Sequence, residues 1–294
     1  MLFDEREENL IGKKKLVIAI PASVISDTPH LREKTSKVGL IGRAAAVFRV
    51  DEIVVYPDNP KEEQNEDLDL IATLLSYIET PQYLRKRLFR IEPQLQYAGV
   101  LPPLRTPHHP LSGKTNAFKV GDYREGVVLS KDKEGLLVDV GFEQPALLRE
   151  TEHPIGERLT LQVVKTGGRA EVQVANRSEL PDYWGYTVRV EHCSLKCAVN
   201  NVKADLALGT SRKGNPFENV AHKVGSRWRV AQSILLAFGS PARGLYEIAA
   251  DEGLDLDALL DFVVNMFPGQ GTETVRTEEA VFATLAILNI QFGY

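Results

Sequence analysis

Three segments in the last third of the chain place small and polar residues directly after apolar runs. They are Leu208-Gly209-Thr210-Ser211-Arg212-Lys213-Gly214, Phe238-Gly239-Ser240-Pro241-Ala242-Arg243-Gly244-Leu245 and Asn265-Met266-Phe267-Pro268-Gly269-Gln270-Gly271-Thr272. In an open α/β sheet, ligands collect beyond the carboxyl ends of the strands, where loops expose backbone N–H and C=O groups. Glycine lets that backbone come close to a ligand. One such segment means only a turn; three in series mean a ligand site. A nucleotide-phosphate site does not fit. Ser112-Gly113-Lys114-Thr115 resembles the end of a phosphate-binding loop, but His108 stands where that motif needs glycine, and no G-x-G-x-x-G follows the first strand.

Other chemistry-bearing residues are more scattered. His192, Cys193 and Cys197 lack the fourth partner of a closed zinc site, so the cysteines are expected to be buried structural residues, without metal or disulfide. His108 and His109, beside Arg105 in a proline-stiffened stretch, suit either an anionic partner or proton transfer, or else a hydrogen-bonded turn. The net charge is −5, yet its distribution is uneven. Between Pro81 and Lys119, Arg85, Lys86, Arg87, Arg90, Arg105, Lys114 and Lys119 face only Glu92, as a phosphate-contacting surface would.

The elements that must position these residues read as follows. Lys15–Pro21 and Glu52–Tyr56 are short β-branched strands, and between them a helix starts near Asp27-Thr28-Pro29 and runs to about Val50. This β-α-β unit implies a parallel sheet. Helices are predicted at Leu68–Ile78, Tyr83–Phe89 and Thr277–Ile290, and strands at Val188–His192, Ala204–Leu208, Ile234–Phe238 and Phe262–Met266. From about Ala117 to Arg177 the helical period disappears. Tyr123–Leu129, Leu136–Val140, Arg158–Val164 and Ala170–Val174 then follow one another as strands of a small barrel inserted in the α/β domain.

Four segments together, Val38–Tyr56, Tyr97–Pro110, Gly209–Val220 and Pro268–Asn289, resemble the SPOUT class of α/β-knot RNA methyltransferases. More narrowly, they resemble the archaeal and eukaryotic family of RNA uridine-N3 methyltransferases with an inserted OB-like domain. The resemblance spans nearly the whole chain. It implies a C-terminal trefoil knot, an exception to the rule against knotted chains. It divides the chain into a methyltransferase domain (1–90 and 180–294), a proline-rich connector (91–116) and an RNA-binding barrel (117–178). It also implies S-adenosylmethionine held by Leu208, Gly209, Thr210, Phe238, Gly239, Gly244, Asn265, Met266, Pro268, Gln270, Gly271 and Thr272, and a homodimer with composite active sites. Arg43 matches the helix-borne arginine of the class. Arg276 is a second candidate for stabilising an anionic acceptor, and Glu278 or His109 a candidate base. RNA would meet Arg85, Lys86, Arg87, Arg105, His108 and His109. Related ribose methyltransferases carry glutamate where this chain has Pro241, so methylation of a base, uridine N3 in ribosomal RNA, is expected over ribose chemistry.

The remaining expectations are negative or general. Apolar runs are too short to span a bilayer and the acidic first residues resemble no secretory signal, so a cytoplasmic protein is expected. The competing reading is a catalytically inactive RNA-binding or ribosome-assembly factor of the same fold.

Overall fold

The computed structural model describes residues 14–110, 118–150 and 152–293. The Ser112–Thr115 segment and the acidic first residues lie outside them. The chain divides into two compact units, each taken by itself here. The first holds the described residues up to Ser76, Tyr97–Pro102 and those from Tyr186 onward; the second holds Tyr77–Gln96 and Pro103–Gly185.

The first unit is built on a six-stranded sheet. Its strands are β1 (Lys15–Pro21), β2 (Glu52–Tyr56), β8 (Thr187–Val190), β9 (Leu206–Pro216), β10 (Ser233–Ala237) and β11 (Phe262–Asn265), in the order β11-β9-β10-β1-β2-β8. Every pairing is parallel. β1 and β2 are apolar on both faces, as strands covered by helices on each side must be. On one face Val17, Ala19, Val54, Leu235 and Ala237 pack against α4 (Leu195–Val202), α6 (Leu245–Asp251) and α7 (Leu256–Leu259). The remaining helices of this part are α1 (Leu31–Val47), α2 (Asn65–Glu79), α5 (Phe217–Val230) and α8 (Thr277–Phe292). Trp228 of α5 lies 5.2 Å, ring to ring, from Phe292 of α8. At the end of α5, the Lys14 ammonium donates to the carbonyls of Trp228, Arg229 and Ala231, closing the helix against its own dipole.

The second unit contains α3 (Gln82–Leu88) and five strands: β3 (Tyr123–Lys131), β4 (Leu136–Asp139), β5 (Ala146–Leu148), β6 (Arg158–Lys165) and β7 (Glu171–Val174). They close as a barrel in the order β3-β4-β5-β7-β6, with β5 and β7 parallel. Val128, Val138, Leu148, Leu161 and Val172 fill its interior.

Several sequence-based expectations change. The Gly209–Gly214 segment is strand: β9 runs on to Pro216, and after a register shift β11 pairs with Asn215 and Pro216. The helix after β1 begins at Leu31, not near Pro29, because His30 is still extended. Helices α4 to α7 were not apparent in the sequence; each is short or carries a mixed face that tertiary packing completes. Cys193 and Cys197 are not buried: Cys193 is exposed, Cys197 half-buried, and their sulfurs form a disulfide beside α4. No described helix is long and apolar enough to cross a membrane.

Candidate functional site

A cavity of about 310 Å³ opens at the carboxyl ends of β9, β10 and β11, at the lower end of the size range of ligand pockets. Thr210 and the three residues after it form one wall, Phe238–Ala242 the second, and Asn265–Phe267 with Gln270 the third. All three glycine-bearing segments therefore meet at one place. Parallel order brings this about, because β10 and β11 flank β9, and the stretch of β9 after Gly209 runs past the end of β10.

Hydrogen bonds within the first unit hold these walls. The Tyr56 hydroxyl donates to the Phe238 carbonyl at 2.9 Å, inside the core, where burial keeps the phenol protonated by pushing its pKa well up. The Thr277 hydroxyl donates to the Gly239 carbonyl at 3.0 Å from the start of α8. Ser240 N–H donates to the Arg243 carbonyl at 2.9 Å, closing the loop after β10 on itself. A Cβ on Gly239 would lie 3.0 Å from both the Arg243 oxygen and the Leu245 nitrogen, so any side chain here would press on the backbone of the turn. On the third wall the Asn265 amide donates to the Arg212 carbonyl, and Gln270 to the carbonyls of Thr272 and Glu273.

Of the expected cofactor contacts, Thr210, Phe238, Gly239, Gly244, Asn265, Met266 and Gln270 line the cavity. Leu208, Gly209, Pro268, Gly271 and Thr272 are not among its lining residues. Leu208 is fully buried, and a Cβ on Gly209 would strike Leu260 and Leu245, so the glycine there serves packing beneath the site. A Cβ on Gly271 meets nothing within 4 Å. Sequence reasoning missed Lys213, Glu247 and Thr277 as wall residues. Glu247 could have been found, since Gly244-Leu245-Tyr246-Glu247 has capping-box spacing, with Glu247 reaching back to the Gly244 N–H at 2.7 Å. The cavity combines apolar side chains at Phe267 and Val275, above the buried Phe238 and Met266, with charged groups at Lys213 and Glu247, a set that suits an adenosine-like ligand bearing a charged tail. No group of three or more potential metal ligands occurs among the described residues.

The expected catalytic residues stand apart from the cavity lining. Arg43 is half-buried on α1. Arg276 is exposed at the N-cap of α8, where its N–H donates to Glu279. Glu278 turns toward α1, its Oε2 3.6 Å from the buried Lys37 ammonium, which also pairs with Asp27 at 2.6 Å. That Oε2 is buried and accepts no hydrogen bond.

The expected RNA-binding residues lie in the second unit, and two of its histidines belong to a buried network that sequence reasoning did not anticipate. Arg158 of β6 donates to Glu79 at 2.7 Å and to Glu125 of β3 at 2.5 Å. Trp184 and Thr160 donate to the other Glu125 oxygen, both at 2.7 Å. Burial alone would raise the Glu79 pKa, but the His108 hydrogen bond and the Arg158 charge outweigh it and hold the carboxyl far below its usual range. His108 is only 1% exposed, its Nε2 donating to the Glu79 carbonyl at 2.9 Å. This corrects its expected RNA contact: the ring is a structural donor. His109 donates to the same carbonyl at 2.6 Å; burial, and then the neighbouring His108, lower its pKa to about 4. Lys86, Arg87 and Arg105 are exposed, with Arg87 paired to Asp139, whereas Arg85 is half-buried and donates to the carbonyls of Thr80 and Ile78. Arg105 holds a left-handed backbone with φ of 53°, uncommon for a side chain of its kind.

With this geometry in hand, comparison with known proteins is informative. Residues 15–288 match the family described as "Putative RNA methyltransferase". A Halobacterium salinarum protein of uncharacterised activity is 37% identical over 290 residues, covering 93% of this chain and 98% of its own. Two proteins named 28S rRNA (uridine-N(3))-methyltransferase are each 33% identical over 93% of this chain. The human protein is covered over 77% of its length and the Drosophila melanogaster protein over 61%. A match of this extent, over both compact units, leaves one conclusion: the chain belongs to this family of RNA methyltransferases.

Proposed function

We propose that the protein methylates ribosomal RNA at uridine N3, using S-adenosylmethionine bound in the cavity at the ends of β9, β10 and β11. The meeting of three small-residue segments there carries the reading. The names of the human and fly relatives support the substrate and the atom. Phe238 and Met266 would flank the adenine, and the backbone at Thr210, Gly239, Gly244, Asn265 and Gln270 would hold its polar edges. When bound, the cofactor supplies an activated methyl group on a sulfonium centre. The protein's task is then to align the uridine and remove the N3 proton.

Arg43 and Arg276 would stabilise the uridine anion. Glu278 or His109 would take the proton, Glu278 only after its Oε2 leaves the Lys37 ammonium 3.6 Å away. Leu40, Arg43 and Val47 share one face of α1, and Leu40 and Val47 are 51% and 44% exposed. On α8, Phe282 and Ile290 are exposed as well. This apolar surface around an arginine supports a homodimer in which Arg43 serves the partner's cavity. We further infer that the run from β9 to α8 forms a trefoil knot. The domains would be a methyltransferase domain at 1–90 and 180–294, a connector at 91–116, and an RNA-binding insert at 117–178; Arg85, Lys86, Arg87, Arg105 and His109, which precede the insert in the chain, would meet the RNA as well. An rRNA substrate would place the protein in the cytoplasm.

The test is methyl transfer to rRNA followed by nucleoside mass spectrometry, with calorimetry for the cofactor. N3-methyluridine formed by the parent and lost in Arg43→Ala, with RNA affinity retained, is expected. A dimer by sedimentation is expected too. RNA binding without any cofactor affinity would instead establish the non-catalytic assembly factor.

A further inference from the structure

The cavity contains one carboxylate whose surroundings exceed what local structure demands. Glu247 accepts from the Gly244 N–H at 2.7 Å through Oε2 and from the Lys213 ammonium at 2.9 Å through Oε1. Lys213 and then the Gly244 amide hold its carboxyl below the usual range, so it is ionised at neutral pH. A carboxylate offers about four acceptor positions, and two of these are taken. The other two belong to a side chain that is half exposed and lines the cavity. Its direction is set from two sides, by α6 through the capping box and by β9 through Lys213. A carboxylate fixed in this way, with two acceptor positions open, matches a pair of neighbouring hydroxyls. Nucleotide-binding α/β proteins use an acidic residue for ribose hydroxyls on the same grounds.

Resting on the cofactor reading above, we propose that Glu247 is the cavity's ribose-recognition residue, accepting hydrogen bonds from both the 2′ and 3′ hydroxyls of the adenosyl group, with Lys213 positioning it. This contact would select a free nucleoside diol. A ribose inside an RNA chain has its 3′ oxygen esterified and offers only the 2′ hydroxyl, so the same carboxylate would discriminate the cofactor's sugar from the substrate's.

The rival explanation is that Glu247 only caps α6 and forms a surface ion pair with Lys213, which would be worth little. A ligand cycle separates the two. Binding of S-adenosylhomocysteine and its 2′-deoxy and 3′-deoxy analogues is measured by calorimetry on the full chain, for the parent and for Glu247→Gln. In the parent, loss of either hydroxyl should weaken binding about tenfold or more, as for hydrogen bonds to a charged acceptor. Glu247→Gln should weaken the complete ligand by a similar factor, and in it the deoxy analogues should lose less than about threefold further, the mark of a shared interaction. Lys213→Met should weaken all three ligands while keeping part of the discrimination. Analogues that lose as much in Glu247→Gln as in the parent would overturn the proposal. So would a Glu247→Gln variant that binds the complete ligand like the parent, or 3′-deoxy binding equal to that of the complete ligand with only the 2′ position sensed. A parent that binds none of the three at millimolar concentration refutes the cofactor reading itself, a distinguishable result.

Discussion

His109 permits a prediction whose size and sign both follow from its surroundings. Its Nε2–H donates to the Glu79 carbonyl at 2.6 Å, and burial, followed by the adjacent His108, lowers the folded pKa to about 4 from an ordinary 6.5. Between those two values the unfolded chain binds a proton that the folded chain does not. Stability at this site is therefore complete above about pH 6.5 and is lost as pH falls toward 4. At about 1.4 kcal/mol per pH unit, the site costs roughly 2 kcal/mol by pH 5 and on the order of 3 kcal/mol by pH 4. Glu79 acts in a lower window: its depressed pKa adds stability above the ordinary carboxylate value that is lost only as pH falls through the folded value. The perturbation is His109→Gln, which keeps an N–H donor for the carbonyl but does not titrate. Urea unfolding at pH 7 and pH 5 should show the parent losing about 2 kcal/mol more than the variant over that interval. An NMR titration of the ring protons should give a midpoint near 4. Parallel pH dependences for parent and variant, or a ring midpoint at or above 6.5, would refute the reasoning.

Breaking the Glu79–Arg158–Glu125 network should be costlier than its replacement. Arg158→Met leaves the buried Glu125 without its counter-ion, while Glu79 keeps Arg177 at 3.3 Å, and should lose about 3–5 kcal/mol by urea unfolding, with Glu125→Gln added to it recovering part of the loss. Gly239→Val should weaken cofactor binding by calorimetry and lower the melting temperature as well, since the crowding falls on the Arg243–Leu245 backbone and Leu245 belongs to the core. Thr277→Val removes the hydroxyl that fixes the Gly239 carbonyl and should cost about 1 kcal/mol in stability, with a severalfold weaker cofactor. Neutralising Lys86 and Arg87 should flatten the salt dependence of RNA affinity without altering cofactor affinity.

The sequence by itself determined the parallel α/β plan and the existence of a strand-only module. Period and chain-local chemistry carry both: Lys15–Pro21 and Glu52–Tyr56 are apolar after their first, charged residue, and the helical period stops before Tyr123 and returns after Val174. The three glycine-bearing segments were legible for the same reason, because each comes directly after an apolar run. What the tertiary structure alone decided are relations between distant residues. That β9, β10 and β11 adjoin, so that three segments make one cavity, follows from strand order, which no local pattern encodes. That Gly209–Gly214 is strand depends on β11 pairing with the far end of β9. His108 read equally as an anion contact or as a hydrogen-bonded turn, because its polarity is visible in sequence while its acceptor, the Glu79 carbonyl, lies 29 residues away. Likewise Glu79 and Arg158 are 79 residues apart, and each alone reads as a solvated charge. Burial made them a pair, since a charge removed from water is tolerated only beside its opposite.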